Sequence, residues 1–124
     1  MIQEITQRDI VEHNILNGTD LVVLMFYGPT CGPCRATMPY YEQVAQFYTE
    51  KQARIRFYKI NAWEPEEQKT YITEVWKVTG VPTFKLFNHD IVVADKVGGG
   101  DFNELHKLVH SAIDESFKLF EEKI

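Results

Sequence analysis

Apolar positions Ile2, Ile5, Ile10, Val11, Ile15 and Leu16 predict a short opening strand and a helix, which Asn17-Gly18-Thr19-Asp20 ends with turn chemistry. The run Leu21 to Tyr27 is apolar throughout and bounded by turn residues, the pattern of a central strand buried on both faces. Gly28-Pro29-Thr30 closes it. From Cys31 onward Met38, Tyr41, Val44, Ala45 and Tyr48 recur at helical spacing, with Pro33 suited to the first turn and Pro39 predicted to kink the helix. Arg54 to Ile60 reads as the next strand, and Glu66 to about Val78 as a third helix carrying Tyr71, Val75 and Trp76. Thr83 to Phe87 and Ile91 to Val97 suit a hairpin joined by Asn88-His89-Asp90. After Gly98-Gly99-Gly100, Asp101 is placed to cap a last helix whose stripe is Leu105, Leu108, Val109, Ala112, Ile113 and Phe117.

Strand and helix thus alternate before a hairpin and a final helix, an α/β order with no repeat and no dividing linker. A single domain over 1–124 is expected, because 124 residues with 44% hydrophobic content can bury a core without staples. Thirteen Lys and Arg against 18 Asp and Glu, with neither sign gathered in a block, disfavour nucleic acid as a partner. Met1 to Asp9 lacks the cationic start and apolar run of a signal peptide, and the longest apolar stretch is far short of the roughly 20 residues that span a bilayer. No membrane association and a cytoplasmic location are therefore expected.

Only two cysteines are present, Cys31 and Cys34, which excludes a disulfide-stapled secreted framework. They flank Gly32-Pro33 between a buried strand and a helix start. Unpaired N–H groups and the positive end of the helix dipole favour a thiolate at the first cysteine, and the thiolate is the nucleophile of disulfide exchange. Cys31 is the candidate attacker. Cys34, one turn on, is placed to resolve the mixed disulfide, with Gly32 and Pro33 setting the geometry between them. A zinc site would need two more ligands, but His13, His89, His106 and His110 show no ligand spacing, so no metal is expected. A pair of inert buried cysteines is the other reading, and the Gly-Pro spacer at a strand-to-helix junction weighs against it.

The chain resembles the thioredoxin family in more than the cysteine pair. Cys31-Gly32-Pro33-Cys34-Arg35 followed by Pro39, then Gly80-Val81-Pro82-Thr83, Lys96-Val97-Gly98 and the last amphipathic helix stand in the family's order. The similarity covers nearly the whole chain apart from about its last ten residues. It implies the thioredoxin fold, a central mixed sheet of four or five strands flanked by helices on both faces. It also implies that Pro82 is the family's cis-proline, beside the cysteine pair, leaving the preceding backbone free to pair with an extended substrate. Val81 and the Gly98-Gly99 turn would complete a flat apolar groove.

Departures from the family pattern affect the tuning residues. Met25 stands where the family usually carries a buried aspartate, so Cys34 lacks the usual proton acceptor. Lys59 matches the family's buried lysine. Without its carboxylate it is either pushed toward neutrality or stabilises a thiolate, unless it snorkels to solvent. Thr30 replaces the tryptophan before the first cysteine, and Tyr27 replaces an aromatic that is usually tryptophan, which should alter substrate contact near Cys31. Thr30 is a candidate helix cap, against the plain alternative of a surface threonine. Trp63 and Trp76 read as packing residues. Phe117 and Phe120 extend the last helix's apolar side through Glu121 and Lys123, as a longer cap over the sheet or a partner contact, core packing being the commoner case.

The resemblance implies a thiol–disulfide oxidoreductase that reduces protein disulfides through Cys31 and Cys34. It would bind no cofactor and take electrons from an external, NADPH-dependent reductase such as thioredoxin reductase. Its partners would be oxidised proteins, ribonucleotide reductase among them, and a monomer is expected. The competing reading is a thioredoxin-fold binding module within a larger assembly, with little redox turnover. A glutaredoxin-type activity is a weaker rival because the Gly-Pro spacer favours thioredoxin.

Overall fold

The order of elements follows the apolar pattern closely in a computed structural model that describes residues 1–123, with side chains as far as Lys118. Strand β1 spans Ile2–Glu4, helix α1 Gln7–Glu12, strand β2 Leu21–Tyr27 and helix α2 Gly32–Glu50. They are followed by β3 Ile55–Asn61, α3 Glu66–Glu74, the hairpin β4 Thr83–Asn88 and β5 Ile91–Val97, and α4 Phe102–Lys123. The five strands lie in the order β1-β3-β2-β4-β5. β2 is central, parallel to β3 and antiparallel to β4, and its first six residues are buried. That double burial is why its sequence is uninterrupted by polar residues.

Alternation along β2 divides the core. Leu21, Val23 and Met25 pack on α2 and α4 with Tyr41, Val44, Leu105 and Val109. Val22, Leu24 and Phe26 face the other way, onto Ile10, Ile60 and Ile72. No helix among the described residues is long and apolar enough to cross a membrane.

Several local expectations are corrected. The first helix stops at Glu12 instead of reaching Leu16, because Asn14 turns to a left-handed φ of 52° and a separate 3-10 turn forms over Ile15–Asn17. The third helix ends at Glu74 rather than Val78; Lys77 has φ 58°, so Trp76 lies beyond the helix. The hairpin loop contains two residues, His89 and Asp90, both with positive φ, the backbone of a type I′ turn. α2 continues past the exposed Pro39. Asp101 does cap α4: its Oδ1 accepts the Glu104 N–H at 2.9 Å while Glu104 Oε1 accepts the Asp101 N–H at 3.3 Å. Leu105, Val109 and Ala112 are buried, but Ile113 is 38% and Phe117 62% exposed, so the stripe leaves the core before its predicted end. The side chains of Phe120, Glu121 and Lys123 lie outside the described residues.

Candidate active site

The topology gathers distant segments at one edge of the sheet. Parallel pairing brings the C-terminal ends of β2 and β3 together, and antiparallel pairing brings the start of β4 and the end of β5 to the same edge. The β2–α2 junction, the β3–α3 loop, Val81-Pro82 and Gly98-Gly99 therefore meet there.

Cys31 is the N-cap of α2, with extended backbone, and forms a disulfide with Cys34 across a Cα separation of 5.2 Å. Its sulfur accepts the Cys34 N–H at 3.1 Å, and its carbonyl accepts the Arg35 N–H at 3.2 Å. Capping explains the local order: the residue before a helix must offer an acceptor to its first N–H groups, and here sulfur takes that place. Thr30, expected as a cap, is exposed and makes no capping bond, since it stands one residue too early to reach those groups. Cys34 is buried, 5% exposed, whereas Cys31 is partly exposed. Of the two sulfurs the first is the accessible one.

Val81 and Pro82 flank the pair on the other side. The Val81–Pro82 peptide is cis, and the Val81 carbonyl oxygen lies 3.7 Å from Cys31 Sγ. The Glu64–Pro65 peptide is also cis. Gly98, at φ 102°, donates its N–H to the Pro82 carbonyl at 2.8 Å, which fixes the glycine turn beside the proline. Gly99 must lack a side chain: a Cβ there would overlap the Thr37 hydroxyl and come within 3.5 Å of the Pro33 carbonyl oxygen. Thr37, buried in α2, also accepts the Gly100 N–H at 3.3 Å. Gly32 and Pro33 are exposed at the rim. Val81, Pro82, Gly98 and Gly99 are thus brought together on the Cys31 side of the pair.

Beneath the pair, a pocket of about 220 Å³ is lined by Met25, Tyr27, Cys34, Arg35, Met38 and Lys59, together with Gly28 and Pro29. Its walls carry two cations and no carboxylate. Lys59 is partly buried, with Nζ 5.6 Å from the centre of the Tyr27 ring. The Tyr27 hydroxyl donates to Glu4, and burial followed by that acceptor pushes its pKa well above the ordinary phenol value. After reduction, the α2 N-terminus that Cys31 caps favours a thiolate there, while Lys59 and Arg35 share a pocket with Cys34. Among the described residues no three His, Cys, Asp or Glu side chains gather as a metal site.

Both tryptophans pack against the core face of Leu24 and Phe26 and stay partly exposed, as expected. Trp76 lies edge-on to Phe26 and beside Phe87 and Tyr71. Trp63 also reaches Gly28 at the edge of the site. Thr37, Glu4 and Trp63 were not legible as site neighbours, because their places depend on strand register and loop packing rather than on any local motif.

Comparison with known proteins fits this geometry. A family model described as Thioredoxin matches residues 2–111. The chain is 31% identical over 88 residues to Thioredoxin 1 of Plasmodium falciparum, covering 71% of this chain and 77% of that protein. It is 33% identical over 96 residues to a thioredoxin of Neurospora crassa, covering 74% and 72% respectively. The crystal structure of thioredoxin f from spinach chloroplast superposes with a TM-score of 0.74 at 28% identity, over 90% of this chain and 92% of that one.

Proposed function

Because the chain belongs to the thioredoxin family, we propose that its protein-disulfide reductase activity runs through Cys31 as attacking and Cys34 as resolving sulfur, within one thioredoxin-like domain. The Cys31 thiolate attacks one sulfur of a substrate disulfide, forming a mixed disulfide while the other substrate sulfur leaves as a thiolate and takes up a proton. The Cys34 thiolate then attacks Cys31 Sγ, releasing the second substrate thiol. The substrate gains two electrons and the chain is left as the Cys31–Cys34 disulfide. The observation that carries this reading is the division of burial between the two sulfurs, with the accessible one capping α2 and accepting the Cys34 N–H at 3.1 Å. Val81 and Pro82, with Gly98 and Gly99, support an extended substrate lying across Cys31, and Gly32, Pro33 and Thr30 form its near rim.

The couple needs no bound cofactor, because the sulfurs themselves carry the electrons. They are restored by an external NADPH-dependent reductase of the thioredoxin reductase class. Oxidised proteins are the substrates, with ribonucleotide reductase a family-level client. The chain works as a monomer in the cytoplasm, where a reducing poise keeps a dithiol available. Insulin reduction followed with thioredoxin reductase and NADPH, in parallel with glutathione and glutathione reductase, tests the reading. Turnover is expected with the first system and loss of it in C31S. Inactivity with both, alongside unimpaired cellular function of the C31S/C34S variant, would point to a binding module.

A further inference from the structure

Trp63 occupies a seat that the backbone leaves open for it. A Cβ on Gly28 would stand 2.8 Å from the indole Cδ1, 3.0 Å from Nε1 and 3.3 Å from Val81 Cγ2, so the ring can lie there only against glycine. Both neighbours frame the reactive sulfur. The Gly28 carbonyl accepts the Cys31 N–H at 3.4 Å, and the Val81 carbonyl oxygen lies 3.7 Å from Cys31 Sγ.

The loop that carries the ring is held at several points. Asn61 Oδ1 accepts the N–H groups of Trp63 and Glu64, each at 3.0 Å. Buried Gln68 donates to the carbonyls of Asn61 at 2.8 Å and Glu64 at 3.1 Å, and accepts the Gln7 N–H at 2.8 Å. The Ala62 N–H is bonded to the Tyr27 carbonyl at 2.8 Å. An aromatic ring positioned before binding presents apolar area with little ordering cost left for the complex to meet. Thr30 offers no such area just before Cys31, whereas Trp63 reaches the same edge from β3 and is partly exposed.

We propose that Trp63 is a specificity-determining residue of this reductase, a platform on which an apolar or aromatic side chain flanking the attacked substrate cysteine packs. The inference rests on Cys31 being the attacking sulfur. Two disulfide-closed peptides, identical except for Phe or Ser on both sides of one cysteine, are reduced beside 2-hydroxyethyl disulfide. The native chain should favour the Phe peptide in kcat/KM by roughly 2- to 10-fold, the scale of one aromatic contact. The ratio should fall to about one in W63A, on that same scale, and largely return in W63F. Equal rates for the two peptides in the native chain, or a ratio unchanged in W63A, would overturn the platform while leaving the cysteine chemistry intact. Failure of the native chain to reduce any of the three disulfides would overturn the reading of the cysteines, and the platform with it. A readout without substitution at Trp63 uses 5-fluorotryptophan in the C34S chain trapped with each peptide as a mixed disulfide. The Trp63 fluorine signal should move further with Phe than with Ser while that of Trp76 stays in place, and identical Trp63 signals would refute the contact.

Discussion

Met25 and Lys59 stand opposite each other in the parallel register of β2 and β3, and both line the pocket that reaches Cys34. Met25 is 1% exposed, so a residue that cannot accept a proton fills the place beside the amine where a carboxylate would serve the resolving sulfur. M25D should therefore shorten the lifetime of the mixed disulfide on Cys31 by about a hundredfold, the lower end of general-base effects. A buried carboxylate also costs a few kcal/mol of stability, offset in part by Lys59. M25L controls for packing. Acid-quenched trapping with an activated disulfide substrate measures the lifetime, and equal values for M25D and M25L would remove Met25 from the account.

Gly99 and Thr37 form a steric pair between the glycine turn and α2. G99A should lower stability by about 1–3 kcal/mol, as overpacking does, and raise KM for protein disulfides as the turn shifts away from Pro82. Combining it with T37A should recover part of the loss, because the overlapping hydroxyl is gone. Urea denaturation of the four members of the cycle gives the coupling. Additive losses would show that the two positions do not clash.

Gln68 is 7% exposed and its amide serves three backbone groups of two segments. Q68A leaves those groups without partners and should cost about 2–3 kcal/mol in chemical denaturation. Hydrogen exchange at the Trp63 and Glu64 amides should speed up as the loop loosens. Unchanged exchange in Q68A would show that Asn61 alone holds the turn.

Tyr41 is 1% exposed, and its hydroxyl donates to the Tyr58 carbonyl at 2.7 Å, with the Val23 carbonyl 3.3 Å away. Burial holds its phenol well above the ordinary value of 10.0. The unfolded chain thus releases this proton near pH 10 while the folded chain keeps it, as also happens with Tyr27 and Tyr48. Their contribution is complete below pH 10 and declines as pH rises beyond it, most steeply for fully buried Tyr41, at up to about 1.4 kcal/mol per pH unit. Y41F should cost about 1–2 kcal/mol at neutral pH and flatten the alkaline decline without abolishing it. Urea midpoints between pH 7 and 11 test this, and parallel curves for the two proteins would count against it.

Elements written in local chemistry were legible with their bounds. The apolar run of β2, Pro33 in the first turn of α2 and the Asp101 capping box each act through neighbours in sequence, so composition and spacing suffice. Errors fell where one residue's backbone overrode the pattern, at Asn14 and Lys77, whose left-handed φ values end helices that periodicity would continue. Thr30 failed as a cap because the helix begins one residue later than a threonine in that place could serve. Phe117 continues a helical stripe that has already passed the rim of the sheet, so periodicity marks a face without saying whether anything covers it.

By itself the sequence determined the reactive pair, its place between a buried strand and a helix start, and the family whose motifs surround it. Those features are local, and a thiolate at a helix N-terminus needs only the helix. Which sulfur is accessible, what lines the pocket under Cys34, and how Trp63 comes to rest on Gly28 were decided by tertiary structure alone. The reason is that these contacts follow from the parallel register of β2 and β3 and the antiparallel return of β4, pairings between distant segments that no local periodicity records.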